Sequence, residues 1–469
     1  MQSNVHTSTG VEYCRAPRRI PGGGEGSSAA GRSDSIKPSR LFSPPPFHSS
    51  SLLNLNSSKQ QLQQKMRQGS MKVLIQLASI LLCVFAVTAR RLTVNPTFDV
   101  RSYGAIADGV TDNSQAFLGA WNAACSSIGD VKLLIPPGNY FLNPVKFYGP
   151  CPNVNTLTVY QEGVITASTD LSLYQSGNDW VEFGYVEGLR LTGGGTFDGQ
   201  GSASWSYDQC PTEKYCNVLP TSVKFVHLND TIVYGMRSIN PKFFHIAVLQ
   251  CQNFEAGIIH IEAPEDSPNT DGIHIERSSG VTIHDAIIST GDDCISIGQG
   301  NTNVLISRIN CGPGHGISIG SLGKYPNEED VRNLVVTDSH ISNTMNGVRI
   351  KTWQNSPSSS SVTNITFENI LMSNVQNPII IDQTYCPDKL CDGNLVPSRV
   401  SISDVHFKVI NGTSASQVAV TLNCSPGIPC QNINLQDIVL NYVGGKPSTA
   451  FCAYANARFS APMLPLPCN

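Results

Sequence analysis

The sequence is short of charge, because Asp, Glu, Lys and Arg make up only 14% of its 469 residues, whereas an average soluble domain has about a quarter. It has no CxxC pair and no His and Cys cluster with metal-site spacing, so we expect no metal centre. Long segments rich in Ala, Leu, Glu and Lys are also missing, which argues against a helical repeat. Its 40 glycines at low charge are typical of a β-fold with many tight corners.

One short pattern recurs through the middle of the chain. Its copies begin at Asp271, Asp293, His315, Asn346 and Asn377. The steps between them are 22, 22, 31 and 31 residues, as if a nine-residue loop were inserted into a fixed period. Each copy has apolar residues at alternate positions, which is typical of a strand with one buried face, and a second strand pattern lies between copies. The repeat predicts an all-β fold, a right-handed parallel β-helix.

Equivalent residues in successive turns of such a solenoid lie above one another, roughly 4.8 Å apart. The repeat therefore predicts a column of Asp271, Asp293 and His315, with Asp292 beside it. A polar ladder that only stabilises turns is the simple alternative. Stacked like charges oppose each other, however, so a column of carboxylates next to a histidine favours an active site.

Two cations are expected on the outward face of the copy that begins at Asn346. Because Val348 and Ile350 take the inward positions, Arg349 and Lys351 point outward together. A long groove along a β-helix suits a polymer, and paired cations beside carboxylates favour an anionic one, such as a polyuronic acid. The alternative, an isolated surface pair, would contribute little.

The chain divides into three predicted segments. Residues 1–70 are rich in Ser, Pro, Gly and Gln, which predicts a disordered upstream extension, and we interpret it as not native. Residues 71–89 read as a secretory signal peptide, with Lys72, a 15-residue apolar run and small residues before Arg90. A signal anchor with a cytoplasmic tail is the alternative. Cleavage leaves one domain, 90–469, with a net charge of -11 from 21 basic and 32 acidic residues.

The mature domain carries its own structural signals. An amphipathic helix that begins after Thr111-Asp112 is expected to cap the apolar N-terminal end of the solenoid. Sequons at Asn229, Asn364 and Asn411 permit glycosylation. Cys251 is left over as a buried free thiol if the other cysteines form local bridges. The local pairs are Cys125/Cys151, Cys210/Cys216, Cys294/Cys311, Cys386/Cys391, Cys424/Cys430 and Cys452/Cys468.

Four short motifs carry a family resemblance. They are Asn269-Thr-Asp271, Gly291-Asp-Asp293, Gly314-His-Gly316 and Arg349-Ile-Lys351. In order and spacing they resemble the signature motifs of the polygalacturonases, glycoside hydrolase family 28, and Tyr385 matches the substrate-binding tyrosine of that family. The likeness covers essentially all of 90–469. It is greatest to plant members, and the C-terminal half is similar to the pollen-type exopolygalacturonases.

The resemblance implies hydrolysis of α-1,4 bonds in polygalacturonic acid (homogalacturonan) with inversion. Inversion needs an acid and a base about 6.5 to 9.5 Å apart. Asp292 is expected to be the acid, because it is shifted by one residue from the column, and Asp271 with Asp293 to be the base. Crowding should raise at least one carboxyl pKa and keep the acid protonated. His315 would tune this network.

The substrate-binding residues are then expected to be Arg349, Lys351, Tyr385 and Asn269. We expect no cofactor and no nucleic-acid partner, no membrane association after signal cleavage, and a secreted monomer of the cell wall.

Two rival functions share this fold. A pectate or pectin lyase would eliminate instead of hydrolysing, usually with calcium and an arginine base, and a wall-binding solenoid would have no activity. Within hydrolysis, exo action is favoured over endo action by the pollen-type likeness. The choice depends on loops that close one end of the groove, with candidates at 320–333, 352–363 and 384–397.

Overall fold

The structure is a computed structural model that describes residues 54–88, 95–174, 179–208, 218–387 and 396–468. It divides into two compact units, Met1–Arg91 and Leu92–Asn469. In the first unit, helix α1 runs over Asn54–Thr88. Residues 54–70 are therefore helical where we expected disorder, because the Leu, Gln, Lys and Met of this stretch are good helix formers. Among the described residues, no helix combines the length and apolar character needed to cross a membrane.

The second unit is a parallel β-helix, as predicted. Its strands, numbered β1 to β30 along the chain, form two parallel sheets of eleven and nineteen strands. The eleven-strand sheet contains β5 (Val145–Tyr148), β8 (Val181–Gly184), β11 (Val223–Val226), β14 (Ile246–Leu249), β17 (Ile273–Glu276), β19 (Ile295–Ile297), β21 (Ile317–Leu322), β23 (Asn346–Trp353), β25 (Asn377–Tyr385), β27 (Val418–Asn423) and β29 (Thr449–Ala453).

The nineteen-strand sheet forms the remaining walls of the solenoid. It contains β1 (Thr97–Asp99), β2 (Asp108–Asp112), β3 (Gly129–Ile135), β4 (Asn139–Leu142), β6 (Val154–Gln161), β7 (Val164–Ala167), β9 (Leu189–Thr192), β10 (Thr196–Asp198), β12 (Asn229–Tyr234), β13 (Arg237–Ile239), β15 (Gln252–Gly257), β16 (His260–Glu262), β18 (Ser279–Ser289), β20 (Thr302–Cys311), β22 (Val331–Ser342), β24 (Ser360–Val375), β26 (Val400–Ser414), β28 (Cys430–Tyr442) and β30 (Ala455–Leu464). Short 3₁₀ helices occupy Val100–Tyr103, Leu171–Leu173, Gly201–Ala203 and Trp205–Tyr207.

Strand register follows the predicted repeat. Ile273 pairs with Ile295, Ile295 with Ile317, and the row continues through Val348 to Ile379. All five side chains are fully buried. This inward row of branched aliphatic residues is one column of the core, and it leaves the alternate residues of each strand on the groove face.

A row of exposed amides marks one corner of the solenoid, and we call it the amide ladder. Asn333 Nδ2 donates to Asn303 Oδ1 at 3.1 Å, and Asn364 Nδ2 donates to Asn333 Oδ1 at 2.9 Å. Each of the three residues has a φ of 57°, in the left-handed region that Asn tolerates better than most residues. The ladder therefore stabilises a corner that recurs in each turn.

Helix α2 (Ser114–Cys125) caps the N-terminal end, as the sequence predicts. Asp112 Oδ1 accepts from the backbone and the hydroxyl of Ser114 at 3.0 and 2.6 Å. Phe117 and Trp121 are fully buried, and Trp121 Nε1 donates to the carbonyl of Tyr148 at 3.0 Å. The helix thus covers apolar surface that the first turns of the solenoid would otherwise expose.

Four predicted disulfides are present: Cys125–Cys151, Cys294–Cys311, Cys424–Cys430 and Cys452–Cys468. Cys386 is also disulfide-bonded. Its predicted partner, Cys391, lies outside the described residues, as does the pair Cys210/Cys216. Cys251 is a buried free thiol, as predicted, and burial raises its pKa to about 11.

Candidate active site

The predicted column lies at the N-terminal ends of β17, β19 and β21, which are adjacent strands of the eleven-strand sheet. Asp271, Asp293 and His315 each lie two residues before isoleucines that are paired in register. Backbone bonds continue the pairing into the loops, since Gly272 N donates to the Asp293 carbonyl at 2.9 Å and Cys294 N to the Gly316 carbonyl at 2.8 Å. The register therefore places these three residues at equivalent positions in successive turns.

Asp293 is almost completely buried, with 1% of its surface exposed. Its Oδ1 accepts from Ser318 Oγ at 2.7 Å and from Arg349 Nη2 at 3.1 Å. Its Oδ2 accepts from Lys351 Nζ at 2.7 Å. Two cations and a hydroxyl thus stabilise its negative charge in a site where an unpaired carboxylate would be very costly.

Asp271 is buried beside Asp293, but its surroundings disfavour the charged form of its carboxyl. Burial, together with the negative charges of Asp292 and Asp293, raises its pKa well above the usual value, although Lys351 and a hydrogen bond from Ser296 act against the rise. One carboxyl with a raised pKa was expected from crowding. In the free protein that carboxyl is Asp271, where burial and the two neighbouring carboxylates disfavour the charged form.

Asp292 is the most accessible of the three carboxyls, with 22% of its side chain exposed. Burial acts to raise its pKa, but the contact of His315 Nδ1 with its Oδ1 at 2.9 Å and the charges of Lys351 and Arg349 lower the pKa overall. We expected the crowded cluster to keep this residue, the predicted acid, protonated. The direction is reversed in the free protein because the histidine and the two cations favour its carboxylate form.

The donor atoms of Asp292, Asp293 and His315 lie within 4.8 Å of one another. The same three residues could in principle hold a metal ion. Both oxygens of Asp293 already accept hydrogen bonds from protein donors, and Lys351 and Arg349 place two positive charges against the site, so the donor set does not favour a cation.

Tyr385 joins the site through the two cations. Its ring centroid lies 5.8 Å from Arg349 Cζ and 5.4 Å from Lys351 Nζ. Trp353 packs edge-on against the ring, with 5.6 Å between centroids. Burial raises the pKa of the Tyr385 hydroxyl. The tyrosine therefore stays neutral and can donate a hydrogen bond beside Arg349 and Lys351.

Asn269 lies at the margin of the site, two residues before Asp271. Its backbone is left-handed, with a φ of 50°. Its Nδ2 donates to Asp208 Oδ2 at 2.7 Å. The predicted binding residue therefore contacts another segment of the protein.

Sequence reasoning predicted Arg349 but missed the row of side chains to which it belongs, beside the column. His274, Ser296, Ser318 and Arg349 occupy the same outward position in four paired strands. His274 Nδ1 and Ser296 Oγ are 2.8 Å apart, and Ser296 also bonds Asp271. The signal was available, because each residue stands one place before the second apolar position of its repeat copy.

A buried hydroxyl network joins the loops that carry the acids. Thr290 Oγ1 donates to Thr270 Oγ1 at 2.9 Å, and Gly291 N donates to the same oxygen at 3.1 Å. Ser267 Oγ lies 2.7 Å from Thr270 Oγ1. These contacts fix the residues immediately before Asp271 and Asp292. They therefore help to fix the position of the two carboxyls relative to each other.

Known proteins match this chain over most of its length. A family model described as glycosyl hydrolases family 28 matches residues 125–461. An exopolygalacturonase of Platanus acerifolia is 45% identical over 369 residues, which is 78% of this chain and 96% of the relative. A polygalacturonase of Gossypium hirsutum is 43% identical over 390 residues, covering 83% and 94%. The crystal structure of the endo-xylogalacturonan hydrolase from Aspergillus tubingensis shares the fold, with a TM-score of 0.67 at 24% identity, covering 78% of this chain and 99% of that chain.

Proposed function

This chain belongs to the glycosyl hydrolases family 28 and is a glycoside hydrolase, and from that premise we propose that it hydrolyses the α-1,4 bonds of polygalacturonate. We propose exo action, the release of single galacturonic acid units, because one curated relative at 45% identity is named an exopolygalacturonase. The observation that carries the proposal is the pairing of Asp293 with Lys351 and Arg349 beside Asp271 and Asp292. It combines catalytic carboxyls with a binding site for anionic sugars.

Substrate binding is proposed to use the cations on the groove face. A uronate carboxylate would share Arg349 and Lys351 with Asp293, and the Tyr385 hydroxyl would donate beside them. The mature chain has a net negative charge, which repels a polyuronate. Arg349 and Lys351 would attract the polymer locally. Binding strength should therefore depend on the free carboxylates of the polymer.

Asp292 is proposed as the general acid, because it is the most accessible of the three carboxyls. His315 contributes most to the lowered pKa of Asp292 in the free protein, and the charges of Lys351 and Arg349 add to it. A substrate carboxylate would neutralise the contribution of these two cations. Binding should therefore raise the pKa of Asp292, and we propose that Asp271 passes its proton to Asp292 on binding, since the protons of strongly interacting carboxyls belong to the pair and not to one residue. His315 positions the Asp292 side chain for this step.

The proposed bond cleavage then proceeds in a single displacement. Asp292 donates its proton to the glycosidic oxygen, and that oxygen leaves with the departing sugar as a hydroxyl group. Asp271, now ionised, accepts a proton from the attacking water with Asp293 beside it, and the water oxygen bonds to the anomeric carbon. Asp293 is unsuited to act as a nucleophile, because both of its oxygens are bonded to other side chains. Inversion is therefore proposed.

A product analysis separates this proposal from its rivals. Purified protein with polygalacturonate should release reducing ends as galacturonic acid monomer, without absorbance from an unsaturated product, and proton NMR should show the inverted anomer first. Unsaturated product would indicate a lyase, and no reducing ends would indicate a binding protein. The lyase is disfavoured because the Arg349 guanidinium bonds Asp293 and Ser318 and is not placed as a free base.

We also propose that the protein is a secreted monomer of the cell wall, with residues 71–89 as its signal peptide. The local disulfides support an oxidising compartment. N-terminal sequencing of secreted protein should begin at or near Arg90. Any residue from 1–70 in the mature chain would contradict this.

A further inference from the structure

A second cleft lies on the nineteen-strand sheet, on strands that carry none of the proposed catalytic carboxyls. It is lined by residues of β18, β20, β22 and β24 and has a volume of about 500 Å³. On each of these strands one lining residue has a φ between 52° and 55°, in the left-handed region, so the extended backbone is interrupted at the same level in all four. These residues, which form one side of the cleft, are Asp285, Arg308, Asp338 and Asn369.

A row of outward side chains runs from this cleft to the next strand of the sheet. Ile287 pairs with Asn310, and Asn310 pairs with His340. His340 pairs with Leu371, and Leu371 pairs with Asn411 on β26. The row from Asn411 back to Ile287 therefore covers four strand spacings, roughly 19 Å.

Asn411 is the first residue of the sequon Asn411-Gly-Thr413. It is exposed, whereas the preceding Ile410 is fully buried, so the Asn411 side chain points away from the core. A glycan on Asn411 would start about 5 Å from Leu371, at the end of the cleft. The strand register thus places an attachment point for carbohydrate directly beside an open cleft.

The row combines aliphatic and polar side chains. Ile287 and Leu371, near the two ends of the cleft, are 52% and 51% exposed. Asn310 and His340 lie between them in the row. An apolar peptide would cover these two polar side chains without offering hydrogen bonds, which is unfavourable. A carbohydrate chain has both C–H faces and hydroxyl groups, so it fits this lining better.

The charges of the cleft favour a neutral ligand. Arg308 Nε and Nη2 donate to the two carboxylate oxygens of Asp285 at 2.7 and 2.9 Å. Asp338 accepts from Asn369 Nδ2 at 2.5 Å and adds a second carboxylate at the same level. The arginine is thus already paired, and the additional negative charge would repel a polyuronate. The core of an N-linked glycan, by contrast, is uncharged.

We propose that Asn411 is glycosylated and that the inner sugars of its glycan lie in the second cleft, packed on Leu371 and extending toward Ile287. The glycan then covers aliphatic surface that is otherwise in contact with water. Because it is bulky and attached at the end of the cleft, it also keeps other proteins out. This inference rests on the secretion proposed above, since N-glycosylation takes place in the secretory pathway, and it is independent of the proposed hydrolysis.

The test uses the full chain secreted from a eukaryotic host that glycosylates proteins. Mass spectrometry of the peptide that contains Asn411 should show an N-linked glycan. A peptide N-glycosidase should release this glycan from the folded protein at least about tenfold faster in Leu371→Ser than in wild type, which corresponds to about 1.4 kcal/mol of lost packing. Leu305→Ser is the matched control and should leave the rate unchanged, because Leu305 is a 41% exposed residue of the same sheet outside the cleft lining.

Ile287→Ser, at the other end of the cleft, takes the place of Leu371→Ser if that variant does not fold, and the same increase is expected. An unmodified Asn411 in the secreted protein, or equal release rates in wild type and the cleft variant, would overturn this inference. A wild-type dimer that the cleft variant dissociates would also overturn it, because a second copy would then cover the cleft. Hydrolysis of polygalacturonate should be the same in all these variants, so the proposed activity stands or fails separately. Retention of the protein inside the cell would contradict the proposed secretion and this inference together.

Discussion

Two stacks of polar residues run along this solenoid, the amide ladder on an exposed corner and the carboxylate column at the edge of the eleven-strand sheet. In the ladder, Asn333 donates to Asn303 and accepts from Asn364, so the amides of neighbouring turns satisfy each other's hydrogen-bonding groups. In the column, the acids form hydrogen bonds with other residue types instead. Asp293 bonds Lys351, and Asp292 bonds His315.

The difference lies in what each group can do with an identical neighbour. An amide donates and accepts at once, so stacked amides are stable by themselves. A carboxylate only accepts, so burying carboxylates and stacking them raises a pKa, here that of Asp271, and requires cations from adjacent strands. The same strand spacing thus gives a structural feature in one place and the proposed catalytic carboxyls in the other.

The largest effect on activity is expected from Asp292→Asn, which removes the proposed proton donor and keeps the shape of the side chain. The turnover number should fall by about 10² to 10⁴, with little change in substrate affinity. Asp338→Asn is the control, since Asp338 lies on an exposed corner where its oxygen accepts from Asn369, and an amide oxygen can do the same. Weaker binding with normal turnover would refute the acid role.

Lys351→Ala tests whether the column depends on its cations. It leaves the buried Asp293 with one cation, so the free energy of unfolding should fall by about 3 kcal/mol, and binding should weaken by about 1.5 to 3 kcal/mol. Wild type should cleave fully methyl-esterified pectin poorly. Lys446→Ala on an exposed turn is the control. Undiminished preference of Lys351→Ala for the free acid would contradict its proposed role.

Asn333→Ala should break the ladder without touching catalysis. It removes two hydrogen bonds and leaves alanine at a φ of 57°, so the free energy of unfolding should fall by about 1 to 2 kcal/mol. Denaturant unfolding measures this, and the turnover number should not change. Asn333→Gly separates the backbone cost from the hydrogen bonds, because glycine accepts this φ without strain.

The smallest expected change in stability is an increase. The pKa of Asp271 is higher in the folded protein than in the unfolded chain, so the folded state binds more protons and its stability falls as the pH rises above the unfolded value of 3.8. Asp271→Asn should lose turnover yet melt at a higher temperature than wild type at neutral pH. The gap should close as the pH is lowered, and a gap that widens on acidification would reverse the pKa direction.

The repeat predicted much of this molecule, because a solenoid converts sequence period directly into contact. The buried row from Ile273 to Ile379 and the grouping of Asp271 with Asp293 follow from register alone. The pKa order does not, since it depends on the reach of His315 and Lys351 toward particular oxygens. The contact of Asp208 with Asn269 was also missed, because Asp208 lies in a segment outside the repeat, which the period does not describe.

The site strands β17, β19, β21 and β23 are the fifth to eighth of the eleven strands in their sheet. In a solenoid each turn contacts only its neighbours, so we expect unfolding to advance from the two ends inward. Several turns would have to peel away from either end before the carboxyls lost their register. Catalysis should thus outlast the first loss of secondary structure on heating, and the capping helix α2 guards one of the two ends from which that loss begins.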